Sequence, residues 1–149
     1  MAGPELKFDI NTELAARRTG MAFQRTRLAE DRTLMAIIRT SLSLIGFGFT
    51  IFQFFLRLRQ EDVLKHDAAP RNFGMALVWL GVIMLALGIA WHVQFMLGLR
   101  SLRQSMREEG LIHGETAFPM SLTLITALLL LAIGVAAVAS MAFGIGPFG

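Results

Sequence analysis

Apolar residues crowd into three runs separated by two polar connections. The first runs from Leu34 to Leu56, with Arg39 as its only charge. The second runs from Phe73 to Leu99, with His92 and Gln94 near its end. The third runs from Pro119 to about Phe143, and no charge occurs from Ala117 onward. Each run reaches the roughly 20 residues that a helix needs to cross a bilayer. Pro119 suits a first helical turn, where its missing N–H costs nothing. Alternating strands of the kind that build membrane barrels are absent. A soluble protein with three buried helices of this length would lack the polar surface to cover them. The pattern predicts an all-α membrane protein with three transmembrane helices (34–56, 73–99 and 119–143). Residues 1–33 form a cytoplasmic segment whose Arg-rich amphipathic helix extends the first span. Residues 34–149 form the membrane domain.

The positive charges set the expected orientation. Lys7, Arg17, Arg18, Arg25, Arg27, Arg32 and Arg39 precede or enter the first span, and Arg100, Arg103 and Arg107 follow the second. Arg57, Arg59, Lys65 and Arg71 lie in the first connection, and the C-terminal tail has none. Grouping alternate sides gives ten against four. The positive-inside rule places the N-terminus in the cytoplasm and the C-terminus outside. Arg57 and Arg59, on the outer end of the first span, weaken this slightly.

The most informative feature is a repeat. Arg-Thr occurs at Arg18-Thr19, Arg25-Thr26, Arg32-Thr33 and Arg39-Thr40, seven residues apart each time. Ala22, Ala29, Ala36 and Ser43 follow the arginines at i+4, and Leu14, Met21, Leu28 and Met35 precede them at i−4. A heptad keeps register along one helix. Asp9 or Asn11 is placed to cap its start, and Glu13 with Arg17 makes an i,i+4 pair in the favourable order. On a helical wheel the arginines occupy the middle of the less polar face, while Gln24, Arg27, Glu30 and Asp31 lie opposite. Three readings follow: a solvated charge run, a helix lying in the membrane surface, or an Arg-lined inner face of a helix bundle. The wheel disfavours the first, which would set the arginines among the acids.

The stripe continues into the first span through Ser43, Gly46, Thr50, Gln53, Arg57 and Gln60. Arg39 and Arg57 are eighteen residues apart, about 27 Å along a helix, close to the roughly 30 Å hydrocarbon core. Such a stripe either hydrogen-bonds to neighbouring helices or lines a narrow wet path for anions among copies of the chain. Arg18, Arg25, Arg32, Arg39, Ser43, Thr50, Gln53 and Arg57 are therefore the candidate anion-binding or pore-lining residues. Small residues at Gly74, Gly81 and Gly88, and at Ala132, Ala136, Ser140 and Gly144, are expected to let helices approach closely. Three helices make a thin bundle, so a homo-oligomer is expected.

Composition narrows the remaining classes. The chain has 149 residues, 54% hydrophobic and 17% charged, with a net charge of +3 and no cysteine. This excludes disorder, disulfide scaffolds, thiol catalysis and Cys-ligated metals. It also gives no sign of nucleic-acid binding. His66 and His113 lie in polar connections, and His92, beside Trp91, reads as an interfacial anchor or hydrogen-bonding residue rather than a proton relay. Glu30 and Asp31 are expected to pair with Arg27 one turn back and to solvate the outer face. No ligand cluster has metal spacing, and the GxGxxG match at Gly144, Gly146 and Gly149 lacks a strand–helix context. The expected protein is no enzyme and needs no cofactor. Its expected partners are membrane lipids, further copies of itself and an anion or polyanion.

The stretch Leu28-Ala29-Glu30-Asp31-Arg32-Thr33-Leu34-Met35-Ala36-Ile37-Ile38-Arg39-Thr40, followed by Leu42, Gly46 and Gly48, resembles the YidH-like family. These are small bacterial inner-membrane proteins whose shared domain has no known function. The family pattern reads L-A-x-E-R-T-x-L-A-W-x-R-T. This chain has Asp31 in place of Glu and Ile37 in place of Trp. The domain is also similar to the membrane part of the fungal vacuolar transporter chaperone complex, which takes up polyphosphate. That likeness implies a polyanion meeting Arg32 and Arg39 at a cytoplasmic mouth. Arg18 and Arg25 extend the row beyond the motif. With no polymerase domain in the chain, synthesis of polyphosphate is not implied.

Overall fold

The computed structural model describes residues 4–60, 69–108 and 121–143. They form three α-helices and, among the described residues, no strand: α1 (Pro4–Gln60), α2 (Ala69–Glu108) and α3 (Leu122–Phe143). All three are long and apolar enough to cross a membrane. Pro119, His66, His113 and Gly144 lie outside the described residues.

The helix α1 is one uninterrupted element of 57 residues. No proline follows Pro4 within it, and proline in the first turn is the one place where it does not break a helix. The start at Pro4 corrects the expectation that Asp9 or Asn11 caps the helix, since both lie inside it. A helix of this length exceeds the roughly 20 residues that span a bilayer. Its threonines hydrogen-bond back to their own helix: Thr19, Thr26 and Thr40 donate to the carbonyls of Ala15, Ala22 and Ala36 at 3.0 Å. These three hydroxyls of the repeat are thus satisfied within the helix. Arg17 Nε donates to Glu13 Oε1 at 2.8 Å, the exposed i,i+4 pair expected from the sequence.

The chain divides into two compact units, Met1–Arg32 with Trp91–Pro119, and Thr33–Ala90 with Met120–Gly149. In the second unit α1 and α2 run antiparallel. Gly48 meets Gly74, Gly81 meets Ser41 and Ile45, and Gly88 meets Ile37. Helices in a bilayer gain little by hiding apolar surface from lipid, so close backbone approach and shape decide their packing. The glycines supply it. A Cβ added at Gly74 would stand 2.8 Å from the backbone nitrogen of Phe52, and one at Gly81 3.0 Å from the carbonyl oxygen of Ser41. Against this seam α3 places Gly134, where a Cβ would meet Val82 at 3.0 Å and Ile45 at 3.2 Å. Two clusters fill the unit: Ile45, Phe52, Val78, Val82, Val138 and Met141, and Leu34, Leu85, Ile89 and Ala127.

Candidate functional site

Two features follow from the way α1 is turned. Its buried positions in the second unit are Leu34, Ser41, Ile45, Gly48 and Phe52. At about 100° per residue these fall on one narrow face. Arg39, Ser43, Gly46, Thr50 and Arg57 fall on the opposite face, and all five are exposed. A Cβ at Gly46 would meet nothing within 4 Å, so neither α2 nor α3 covers this side. Ser43 and Thr50 donate to the carbonyls of Arg39 and Gly46 at 2.9 and 2.8 Å. Gln53, at the edge of the stripe, is half-buried. In the first unit Arg18, Arg25 and Arg32 are exposed, as are their neighbours Leu14, Met21 and Leu28. Among the described residues none of Arg18, Arg25, Arg32 and Arg39 forms an ion pair.

The small residues divide. Gly74, Gly81 and Gly88 are buried against α1, and Ser140 is buried. Ala132 and Ala136 are exposed, and α3 instead turns Ala127, Gly134, Ala137, Val138, Ser140 and Met141 inward. Gly134 escaped the sequence reading, although Ala127, Gly134 and Met141 stand seven apart.

The second feature is buried. In the first unit His92 of α2 is 2% exposed. Its Nε2 lies 3.6 Å from Oδ1 of Asp31 on α1, whose side chain is 20% exposed. This separation would be an ion-pair contact only with His92 protonated and is too long for a hydrogen bond, and neither ring nitrogen has a hydrogen-bond partner among the described residues. The expectation that Glu30 and Asp31 solvate an outer face is corrected: both are half-buried, as is Arg27, and Asp31 turns to α2. The wheel failed because it treated the more polar side of α1 as the solvated one. The signal was present in α2, where Val78, Leu85 and His92 stand seven apart and the first two are fully buried. His92 therefore occupies a buried position on α2. Among the described residues no group of His, Asp and Glu could hold a metal ion.

A family model described as a domain of unknown function, DUF202, matches residues 25–107. The chain belongs to the DUF202 family, the YidH-like domain. No curated protein and no solved structure matches it. The DUF202 match takes in Arg25, Arg32 and Arg39, the Gly48–Gly74 contact and both members of the Asp31–His92 pair, and it ends before α3. This DUF202 chain is a small multi-pass membrane protein.

Proposed function

We propose that several copies of this chain associate in the membrane with the exposed faces of their α1 helices toward a common axis, enclosing a path for anions such as phosphate or polyphosphate. The observation that carries this reading is the orientation of α1. The face bearing Arg39, Ser43, Gly46, Thr50 and Arg57 is uncovered, while the opposite face is buried in the chain's own core. A charged side chain facing hydrocarbon is expensive, so an arginine at that depth calls for water, headgroups or protein around it. A row of arginines that have no acidic partners among the described residues supplies what an anion needs. Arginines drawn together in an oligomer would repel one another unless an anion lay between them.

In this reading the N-terminus is cytoplasmic, the C-terminus lies outside, and the membrane is the bacterial inner membrane, following the distribution of arginines. The protein acts without a cofactor, catalyses no reaction and binds no nucleic acid. Its partners are lipids, its own copies and the anion. A second reading has specific support: the hydroxyls of Ser43 and Thr50 are already satisfied within α1, so lipid could cover them at little cost. The chain would then be a non-transporting scaffold or regulatory subunit, its arginines holding anionic headgroups or a partner.

The two readings separate in liposomes containing the purified protein. The conduit requires anion efflux that falls at least tenfold when Arg32 and Arg39 are both changed to Ala. It also requires that Ser43→Cys or Thr50→Cys form disulfides between copies, which is clean because the chain has no cysteine. Equal efflux from both proteins would overturn the conduit and leave the scaffold.

A further inference from the structure

The pair between α1 and α2 in the first unit has a chemistry that the arginine face does not use. Burying an imidazole with both nitrogens unbonded is costly. Leu85, one heptad earlier on the same helix, shows that an apolar side chain suits such a position. A titratable group buried in a membrane protein, with an acid beside it, points to function.

We propose that Asp31 and His92 form a proton-binding site that sets how tightly α1 is held against α2 in this unit. One proton from solvent adds to the ring nitrogen of neutral His92 that carries none, and no covalent bond of the chain breaks. The imidazolium then faces the Asp31 carboxylate, and the 3.6 Å contact closes to a charge-assisted hydrogen bond of about 2.7–2.9 Å. When the proton leaves, the attraction goes with it, and the carboxylate faces a neutral ring.

Among the described residues, the other charged groups on these faces of α1 are Arg27 and Glu30, both half-buried. On α2 Arg103 lies three turns beyond His92 and is also half-buried. Neither Arg27 nor Arg103 is without a partner of its own. The helix α3 carries no titratable side chain. Asp31 precedes Arg32, so a proton that draws Asp31 toward α2 also moves the helix that carries the arginine row. This last consequence rests on the proposed anion path; the proton site itself does not.

The test uses the full chain in lipid nanodiscs, with spin labels at Leu28→Cys and Gln94→Cys, both exposed and both in this unit. Lowering the pH from about 8 to about 5.5, the range in which histidine ordinarily changes charge, is expected to narrow the distance distribution and remove its longer separations. Asp31→Asn and His92→Gln are expected to abolish the response, and Asp31→Glu, which keeps the carboxylate, to retain it. Ring 15N shifts of His92, assigned by their loss in His92→Gln, are expected to change over the same range. A distribution that is the same at both pH values overturns the proposal. So does a response that survives Asp31→Asn, or a ring signal that stays constant. Because Asp31 is partly exposed, Asp31→Asn keeps the test usable if His92→Gln does not fold. Anion efflux is measured separately, so a failure of the conduit leaves the proton site standing, and the reverse.

Discussion

Gly48 of α1 and Gly74 of α2 face each other so closely that neither can carry a side chain. A Cβ on Gly48 would stand 2.6 Å from the carbonyl oxygen of Gly74, and a Cβ on Gly74 2.7 Å from that of Gly48. The obstacle in both directions is backbone, which cannot rotate away. Gly48→Ala and Gly74→Ala are each expected to destabilise the protein by about 1–3 kcal/mol, the usual cost of overpacking. Thermal unfolding in detergent, followed by loss of the monodisperse peak, measures it.

Gly88 sits in a milder place. A Cβ there would meet the Cγ2 and Cδ1 atoms of Ile37 at 2.7 and 3.0 Å, which are side-chain atoms rather than backbone. Gly88→Ala should therefore cost less than Gly48→Ala in the same assay, and a ranking in the other order would contradict this packing.

Gly46 separates stability from function. It is exposed, and nothing lies within 4 Å of a Cβ added there, so Gly46→Ala should raise stability by about 0.5–1 kcal/mol through helix propensity alone. On the proposed conduit the same methyl group would narrow the path. The expected outcome is a more stable protein with slower anion efflux; unchanged efflux would count against a path lined by this face.

Ser41 is fully buried, and its hydroxyl has no hydrogen-bond partner among the described residues. Removing an unsatisfied buried hydroxyl relieves a desolvation penalty of about 1–3 kcal/mol, offset by a small void. Ser41→Ala is expected to be neutral or stabilising, and Ser140→Ala, buried and unpartnered in the same way, likewise. A marked loss of stability would reveal a bound water at the hydroxyl.

Orientation can be read by labelling. Single cysteines at Ala2 and Phe148 in the cysteine-free chain should respond oppositely to a membrane-impermeant maleimide applied to spheroplasts. Label at 148 and none at 2 agrees with a cytoplasmic N-terminus; the reverse pattern would invert the proposed topology.

The sequence by itself determined the all-helical, three-span architecture. Long uncharged runs leave a chain no other way to satisfy its backbone in a bilayer. It also determined that four arginines share one side of α1, because a seven-residue spacing holds on any helix. What it left open was which side of α1 turns inward. Apolar residues lie on both sides: Leu34 and Ile45 are buried, whereas Leu28, Met35 and Leu42 are exposed. Hydrophobicity alone cannot choose between them when lipid is as apolar as the core. In the second unit tertiary structure made the choice through shape, where Gly48 and Gly74 let two backbones meet with Arg39 and Arg57 on the exposed side. In the first unit it brought Asp31 to His92. That contact joins residues sixty-one apart in the chain, too far apart for any local pattern to place them together.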